Sequence, residues 1–405
     1  MSTIKVDEIY GDQPTDAVDL TNKLKVGGAS VEQGYTASGS EPSSPSNGDF
    51  WWDTGNDKLY RYMDSEFKEL GVSASGPVWG GLKGFTTGGG AYTNAAGSGD
   101  PQGPSSGYLT QIDYWTINDS TQATDFGDLN MTQPNYTYGT SNNTRGVIAS
   151  GYQGSGTAAN QLDYITCATA GNATDFGDQS VDRTCSMGTV GNGTRGIYGG
   201  GYSFGQSGYL NTMDYITIAN TGNAVDFGDL LGGESGNTGV LKSGASSNDE
   251  TTGLFMGGHT QSPYTYQNRI QKITMATTGN ATDHANLTIV NAYMVKGVIS
   301  DNTTGIVGGG YSSNHGDIQS IDRFTIATGA NATDHGDLPN AVSDGGAASN
   351  GTYGEFFGSS LGAGVASGPN LDGRRYVVTI ATAGNASLMG NLAIRWYSTS
   401  GFSGA

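Results

Sequence analysis

The stretch Leu210-Asn-Thr-Met-Asp-Tyr-Ile-Thr-Ile-Ala-Asn-Thr-Gly-Asn-Ala-Val-Asp-Phe-Gly-Asp-Leu230 reads as a β-strand, a turn at Asn220 to Asn223, and a second short strand. Its second half returns along the chain: QATDFGDL around Asp125, NATDFGDQ around Asp175, NAVDFGDL around Asp226, NATDHANL around Asp283 and NATDHGDL around Asp334. A decayed sixth copy, NASLMGNL, puts Leu388 at the equivalent position. The intervals are 50, 51, 57, 51 and 54 residues. A period of about 50 residues is the signature of a stacked repeat and suits one four-stranded propeller blade.

The composition agrees with a repeat array. Glycine makes up 68 of 405 residues, roughly twice the usual share of about 7%. Because it recurs at fixed repeat positions, it points to tight turns and close backbone packing. Acids outnumber bases 37 to 18, for a net charge of −19. Such a surface repels phosphate backbones, which argues against a nucleic-acid partner. The two cysteines, Cys167 and Cys185, make no disulfide framework and read as small buried residues. No apolar run precedes a cleavage site, and none approaches the length of a membrane span. If the protein works outside a cell, it is expected to leave by a route other than a signal peptide, a condition that a virus particle released by lysis satisfies.

Ahead of the repeats the chain has three parts. Residues 1–34 carry Ile4, Val6, Ile9, Leu24 and Val26 in short alternating patterns, read as two strands around a turn at Gly11 to Pro14. So little apolar surface does not hold a fold alone, so the segment is expected to order against a partner and act as an anchor. Residues 35–48 are a Ser/Gly/Pro linker. Residues 49–70 hold Trp51, Trp52, Tyr60, Tyr62 and Phe67 and read as a small β-meander with an aromatic core. A second linker, 71–77, leads into the array at 78–405.

Each repeat has four strands. A small-residue strand comes first, as in Arg183-Thr-Cys-Ser-Met-Gly-Thr-Val. A hairpin follows at Asn142-Asn143, Asn192-Gly193, Asn248-Asp249, Asp301-Asn302 and Asn350-Gly351, residues that tolerate positive φ. Next is a strand running into glycines, such as GIYGGGY at 196–202, and then the organising pair. Strands apolar on both faces, as at Tyr215-Ile-Thr-Ile218, suit blades covered by neighbours on both sides. The first glycine-ending strand, from Lys83, has no complete small-residue strand before it. Gln179 lies 13 residues before the turn residue Asn192, and the same count from Leu392 reaches Ala405. The C-terminal residues 393–405 are therefore expected to supply the inner strand of blade one. The fold class is all-β: a six-bladed propeller preceded by a small meander and a strand-forming N-terminal segment.

The diglycines Gly88-Gly89, Gly199-Gly200, Gly257-Gly258 and Gly308-Gly309, followed by an Asn-x-x-x-Tyr strand and a strand ending Asp-Leu, resemble the kelch repeat over about 78–405. The chain departs from kelch where Ala173, Ala224 or Ala281 replaces an outer-strand tryptophan, so kelch ligands do not carry over.

Candidate chemistry is sparse. Asp125/Asp128 and their copies form Asp-x-Gly-Asp, but calcium needs several converging oxygens, and turn capping is the expected role. His284 and His335 take the slot of Phe126, Phe176 and Phe227 and read as packing residues; His259 and His315 are the other two histidines. Glu234, Glu250, Glu355 and Asp372 lie outside the repeat pattern without a spacing that makes a glycosidase pair. No catalytic residue, metal site or cofactor is assigned, and the protein is expected not to be an enzyme. The loops after the glycine strands carry Tyr92, Tyr152, Tyr202, Phe204, Tyr209, Tyr264, Tyr266 and Tyr311 among Gly, Ser and Asn, the mixture used by binding loops. By strand parity they emerge on one face, and all but Tyr92 are the candidate ligand-binding residues.

STIKVDEI at the N-terminus, NGDFWWDTGNDKLYRYMDSEFKEL and the DFGDL arrays resemble tail-fibre and other virion fibre proteins of marine, cyanophage-like phages. The resemblance implies a virion protein on the tail or capsid surface, joined to an anchor protein through residues 1–34. It also implies a homotrimer whose propeller recognises a host-surface glycan or protein. A head fibre or decoration protein without a receptor is the alternative reading, and a polysaccharide depolymerase a more distant one.

Overall fold

A computed structural model describes residues 25–26, 29–30, 35–46, 49–53, 58–63, 66–69, 81–91, 107–132, 134–149, 151–152, 159–186, 188–232, 244–260, 264–312, 314–361, 371–393 and 399–404. The chain divides into two units, 1–75 and 76–405.

In the first unit, Phe50–Asp53, Lys58–Met63 and Glu66–Glu69 form the expected antiparallel meander. Its aromatic core is formed: the Trp51 and Tyr60 rings stack at 4.8 Å, and Phe67 meets Trp51 edge-on at 5.4 Å. The linker reading of 35–48 needs correction. Tyr35–Ser38 is a fourth strand, parallel to Phe50–Asp53. Tyr35 and Thr36 favour extended backbone, and the Trp51 indole N–H donates to Ser38 O at 3.1 Å. Residues 1–24, with the Gly11 to Pro14 turn, and the linker at 71–77 lie outside the described residues.

The second unit is a six-bladed β-propeller, each blade a separate antiparallel sheet. Blade one joins Ser400–Gly404, Lys83–Thr87, Gln111–Thr116 and Thr124–Asp128, from inner to outer. The inner strands of blades two to six are Tyr138–Ser141, Gly188–Gly191, Ala245–Asn248, Ile299–Ser300 and Gly346–Ser349. Ring closure follows the 13-residue count: Ser400 to Gly404 pair antiparallel with Thr87 to Lys83, and Phe402 stacks on Phe85 at 5.1 Å. The hairpins fall as read in blades two, three, five and six. In blade four the turn is one residue later, from Asp249 to Thr252. There Asp249 Oδ1 accepts the Thr251 N–H at 2.7 Å, while the Asn248 side chain reaches across to Gly191 O at 2.9 Å.

Six apolar clusters sit one at each blade junction, so the core is a set of interleaved faces. The recurring Asn-Ala-Thr-Asp-x-Gly-Asp motif joins each blade to the one before. The N–H groups of Ala173 and Ala224 donate to Asp128 O and Asp178 O, each at 2.7 Å. Those of Ala281, Ala332 and Ala386 donate to Asp229, Asn286 and Asp337 O, each at 2.8 Å. Ala123 N–H to Asn391 O, at 2.9 Å, completes the circuit. Asn172, Asn223, Asn280, Asn331 and Asn385 each accept a further backbone N–H of the preceding blade. Within the motif, Asp125 Oδ1 accepts the Gly127 N–H at 3.0 Å. Gly228 needs to be glycine, because its φ is +136° and a Cβ there would sit 2.6 Å from Gly279 O.

Small hydroxyl residues close the axis. Ser141 Oγ donates to Ser403 O, Thr189 Oγ1 to Gly139 O, Ser246 Oγ to Thr189 O and Ser247 Oγ to Ile299 O. Ser349 Oγ donates to Val298 O, and Ser403 Oγ accepts the Ser349 N–H at 2.9 Å. These bonds satisfy inner-strand carbonyls that have no partner strand on the axial side. Between them a cavity of about 20 Å³ remains, lined by Thr140, Thr189, Asn248, Phe402 and others, room for a single water.

Candidate functional site: an aromatic arc on one face

Antiparallel alternation sends two kinds of connection to the same face. One runs from the glycine strand to the third strand, and the other from each outer strand to the next inner strand. The two are clamped together. Tyr152 and Asn135 exchange backbone hydrogen bonds at 2.8 and 3.1 Å, Tyr202 and Thr184 at 2.8 and 2.9 Å, and Tyr311 and Ala292 at 2.7 and 3.0 Å. Tyr152, Tyr202 and Tyr311 therefore hold one register position in blades two, three and five. His259 holds it in blade four, while Gly90 and Ser360 hold it in blades one and six.

The side chains from these loops form a continuous row of nine rings. Tyr152 meets Phe204 at 5.7 Å, Phe204 meets Tyr202 at 5.0 Å, and Tyr202 meets Tyr209 at 5.8 Å. Tyr209 meets His259 at 5.6 Å, and His259 meets Tyr264, Tyr293 and Tyr266 at 4.3, 5.3 and 5.9 Å. Tyr266 meets Tyr311 at 5.8 Å. All seven candidate residues read from the sequence are in this row. Tyr92 lies outside the described residues.

His259 and Tyr293 were not among the candidates. His259 looked like the end of a glycine strand, although it follows Gly258 as Tyr202 follows Gly201. Tyr293 lies in the other class of connection, which the loop reading did not include. His259 is fully buried, with its Nε2 3.4 Å from the Tyr264 hydroxyl. That hydroxyl lies 2.9 Å from the hydroxyl of Tyr293. Tyr264 is 53% exposed and Tyr311 37%, so the row presents ring surface to solvent. Burial, then neighbouring phenols, pushes the Tyr209 hydroxyl up to about 12 and raises Tyr266 and Tyr293 as well. These phenols stay neutral at physiological pH and both donate and accept hydrogen bonds.

Beside the row, four bulkier residues take left-handed backbone at one repeat position: Tyr136 (φ 56°), Cys185 (φ 49°), Tyr293 (φ 55°) and Asp344 (φ 56°). Non-glycine residues adopt this conformation only where the surroundings hold them. Two of them meet Lys296, whose ammonium is 3.2 Å from Asp344 and 4.8 Å from the Tyr136 ring. Lys296 is buried, so this cation is neutralised within the ring mouth.

The opposite face is built differently. Its cations are used between blades: Arg145 donates to Ile218 and Ala219 O, and Arg195 to Met275 and Ala276 O. His284 Nε2 lies 3.0 Å from Ile326 O, and His335 is buried. Burial lowers both histidines, which keeps them neutral packing groups. Of the off-pattern acids, Glu355 is fully buried at the junction of blades six and one and Glu250 is exposed on an opposite-face hairpin, so these two do not converge; Glu234 and the side chain of Asp372 lie outside what is described. Among the described residues, no group of three His, Cys, Asp or Glu is placed to hold a metal ion.

The fold and this face define a β-propeller whose architecture is consistent with a binding role. No protein-family model matches the chain, and a search of curated proteins finds no match.

Proposed function

We propose that the chain is a non-enzymatic adhesin, a fibre of a phage virion that attaches to a host-surface glycan through the aromatic face. The carrying observation is the row of nine rings on one face, with solvent-exposed surface at Tyr264 and Tyr311. Aromatic rings give contact area at low entropic cost and stack on the apolar faces of sugars. The phage assignment is supported by the sequence resemblance, with residues 1–34 as the anchor to the particle. Several copies, as in a homotrimer, convert weak single contacts into firm attachment.

The test replaces Tyr202, Phe204, Tyr209, Tyr264 and Tyr266 together by Ala and measures particle adsorption to host cells. Loss of adsorption with an unchanged circular dichroism spectrum is the expected result. Adsorption at the original rate by a folded variant removes this face as the receptor site and favours the decoration-protein reading.

A further inference from the structure

We propose that the arc takes an uncharged glycan, gripped along several consecutive units of its chain and not by one terminal acidic sugar. The inference rests on the glycan reading above and specifies its ligand.

The first argument is the register. Blades two to five place a ring at the same repeat position, Tyr152, Tyr202, His259 and Tyr311, and further rings link these into one curved track. A single sugar needs one or two rings. A track that repeats a ring from blade to blade, with ring surface exposed at Tyr264 and Tyr311, suits a ligand that also repeats. Gly90 and Ser360 take this position in blades one and six, so among the described residues the ring-bearing positions are those of blades two to five.

The second argument is charge. The Asp182 carboxylate lies under the row, accepting the N–H groups of Phe204 at 2.9 Å and Gly205 at 3.1 Å and the Ser203 hydroxyl at 2.5 Å. Asp344 and the buried Lys296 ammonium, 3.2 Å apart, offset each other and add no net charge to the face. The whole chain carries −19. A carboxylated or sulfated sugar meets repulsion here, whereas neutral hydroxyls meet phenols that both donate and accept.

The test applies the full chain to a printed array of neutral and acidic glycans, from monosaccharides to long oligosaccharides. Expected are neutral spots whose signal rises with chain length. Tyr264→Ala and Tyr311→Ala, changes at exposed rings, should each weaken them about tenfold. Binding confined to acidic spots, or as strong to monosaccharides as to long chains, overturns this inference and leaves the glycan reading standing. A folded chain that binds no spot overturns both.

Discussion

The Arg375 guanidinium lies 2.8 Å from the Glu355 carboxylate, and both side chains are fully buried where blade six meets blade one. In the other five blades the Glu355 position holds Phe85, Val147, Ile197, Leu254 or Ile306, and the Arg375 position Ile112, Leu162, Met213, Ile270 or Ile321. An ion pair thus replaces an apolar pair at one junction of six. It is bonded across the seam through the carboxylate and both terminal guanidinium nitrogens, while the buried Arg375 Nε has no partner among the described residues. Glu355 accepts the Trp115 indole N–H and the Asn118 N–H at 2.7 Å, and Arg375 donates to Asp119 and Thr121 O at 2.8 and 2.6 Å. Burial still pushes the Glu355 carboxyl up, against the pull of Arg375.

Arg375→Leu alone should cost about 3–5 kcal/mol, because Glu355 is left buried without its counter-charge. The double change Glu355→Ile with Arg375→Leu rebuilds the apolar pair of the other blades and should recover most of that loss. Urea unfolding of the single and double variants checks this; equal losses in both would show that the pair is not coupled.

Phe402 binds the closing strand to the body. Its ring stacks on Phe85 and packs so closely over Gly139 and Gly146 that neither has room for a Cβ. Phe402→Ala should cost about 3–5 kcal/mol, with the urea midpoint as the readout. Removing residues 399–404 should cost more, since it also strips one edge of the Lys83–Thr87 strand. An unchanged midpoint in either would separate ring closure from stability.

Two neighbouring glycines should respond in opposite ways. Gly228→Ala forces a side chain into Gly279 at a left-handed φ of +136° and should cost about 1–3 kcal/mol or more. Gly279→Ala meets nothing within 4 Å and should be neutral or gain a few tenths of a kcal/mol. Thermal unfolding of the two variants decides it, and similar losses would refute the contact.

A pH effect follows from the buried acids of the third strands. Asp163 accepts the Asn130 N–H at 2.7 Å, and Asp322 accepts the Thr288 N–H at 2.8 Å, each from the preceding blade. Burial raises both above the ordinary 3.8. In the window above that value the folded chain holds more protons than the unfolded chain, so their contribution to stability falls as pH rises. Asp163→Asn removes one such group. The melting temperature of the unaltered protein relative to this variant should be highest on the acid side and decline toward neutrality. A flat or rising difference would contradict the assignment.

Much of this was legible in the sequence for a definite reason. The motif around Asp125, Asp175, Asp226, Asp283 and Asp334 recurs because each copy must bond to the previous one, so blade number could be read from text. Tyr152, Tyr202 and Tyr311 were recognisable because Gly, Ser and Asn surround them. His259 was hidden by its chemistry, since a histidine in a tyrosine slot does not announce the slot. Tyr293 and Tyr136 were hidden by backbone: nothing in the letters signals a left-handed tyrosine. The strand at Tyr35–Ser38 was hidden by composition, because Ser and Gly follow it at once.

The blade-one closure also has a consequence in time. Thr86 and Thr399, whose hydroxyls lie 2.5 Å apart, are separated by 313 positions. A chain made from its N-terminus completes blades two to six while Lys83–Thr87 still waits for its partner. Bringing such distant segments together is slow, and the waiting strand offers the same hydrogen bonds to any Ser400–Gly404 segment nearby. The bond that makes the ring whole is thus the last one the growing chain is able to form.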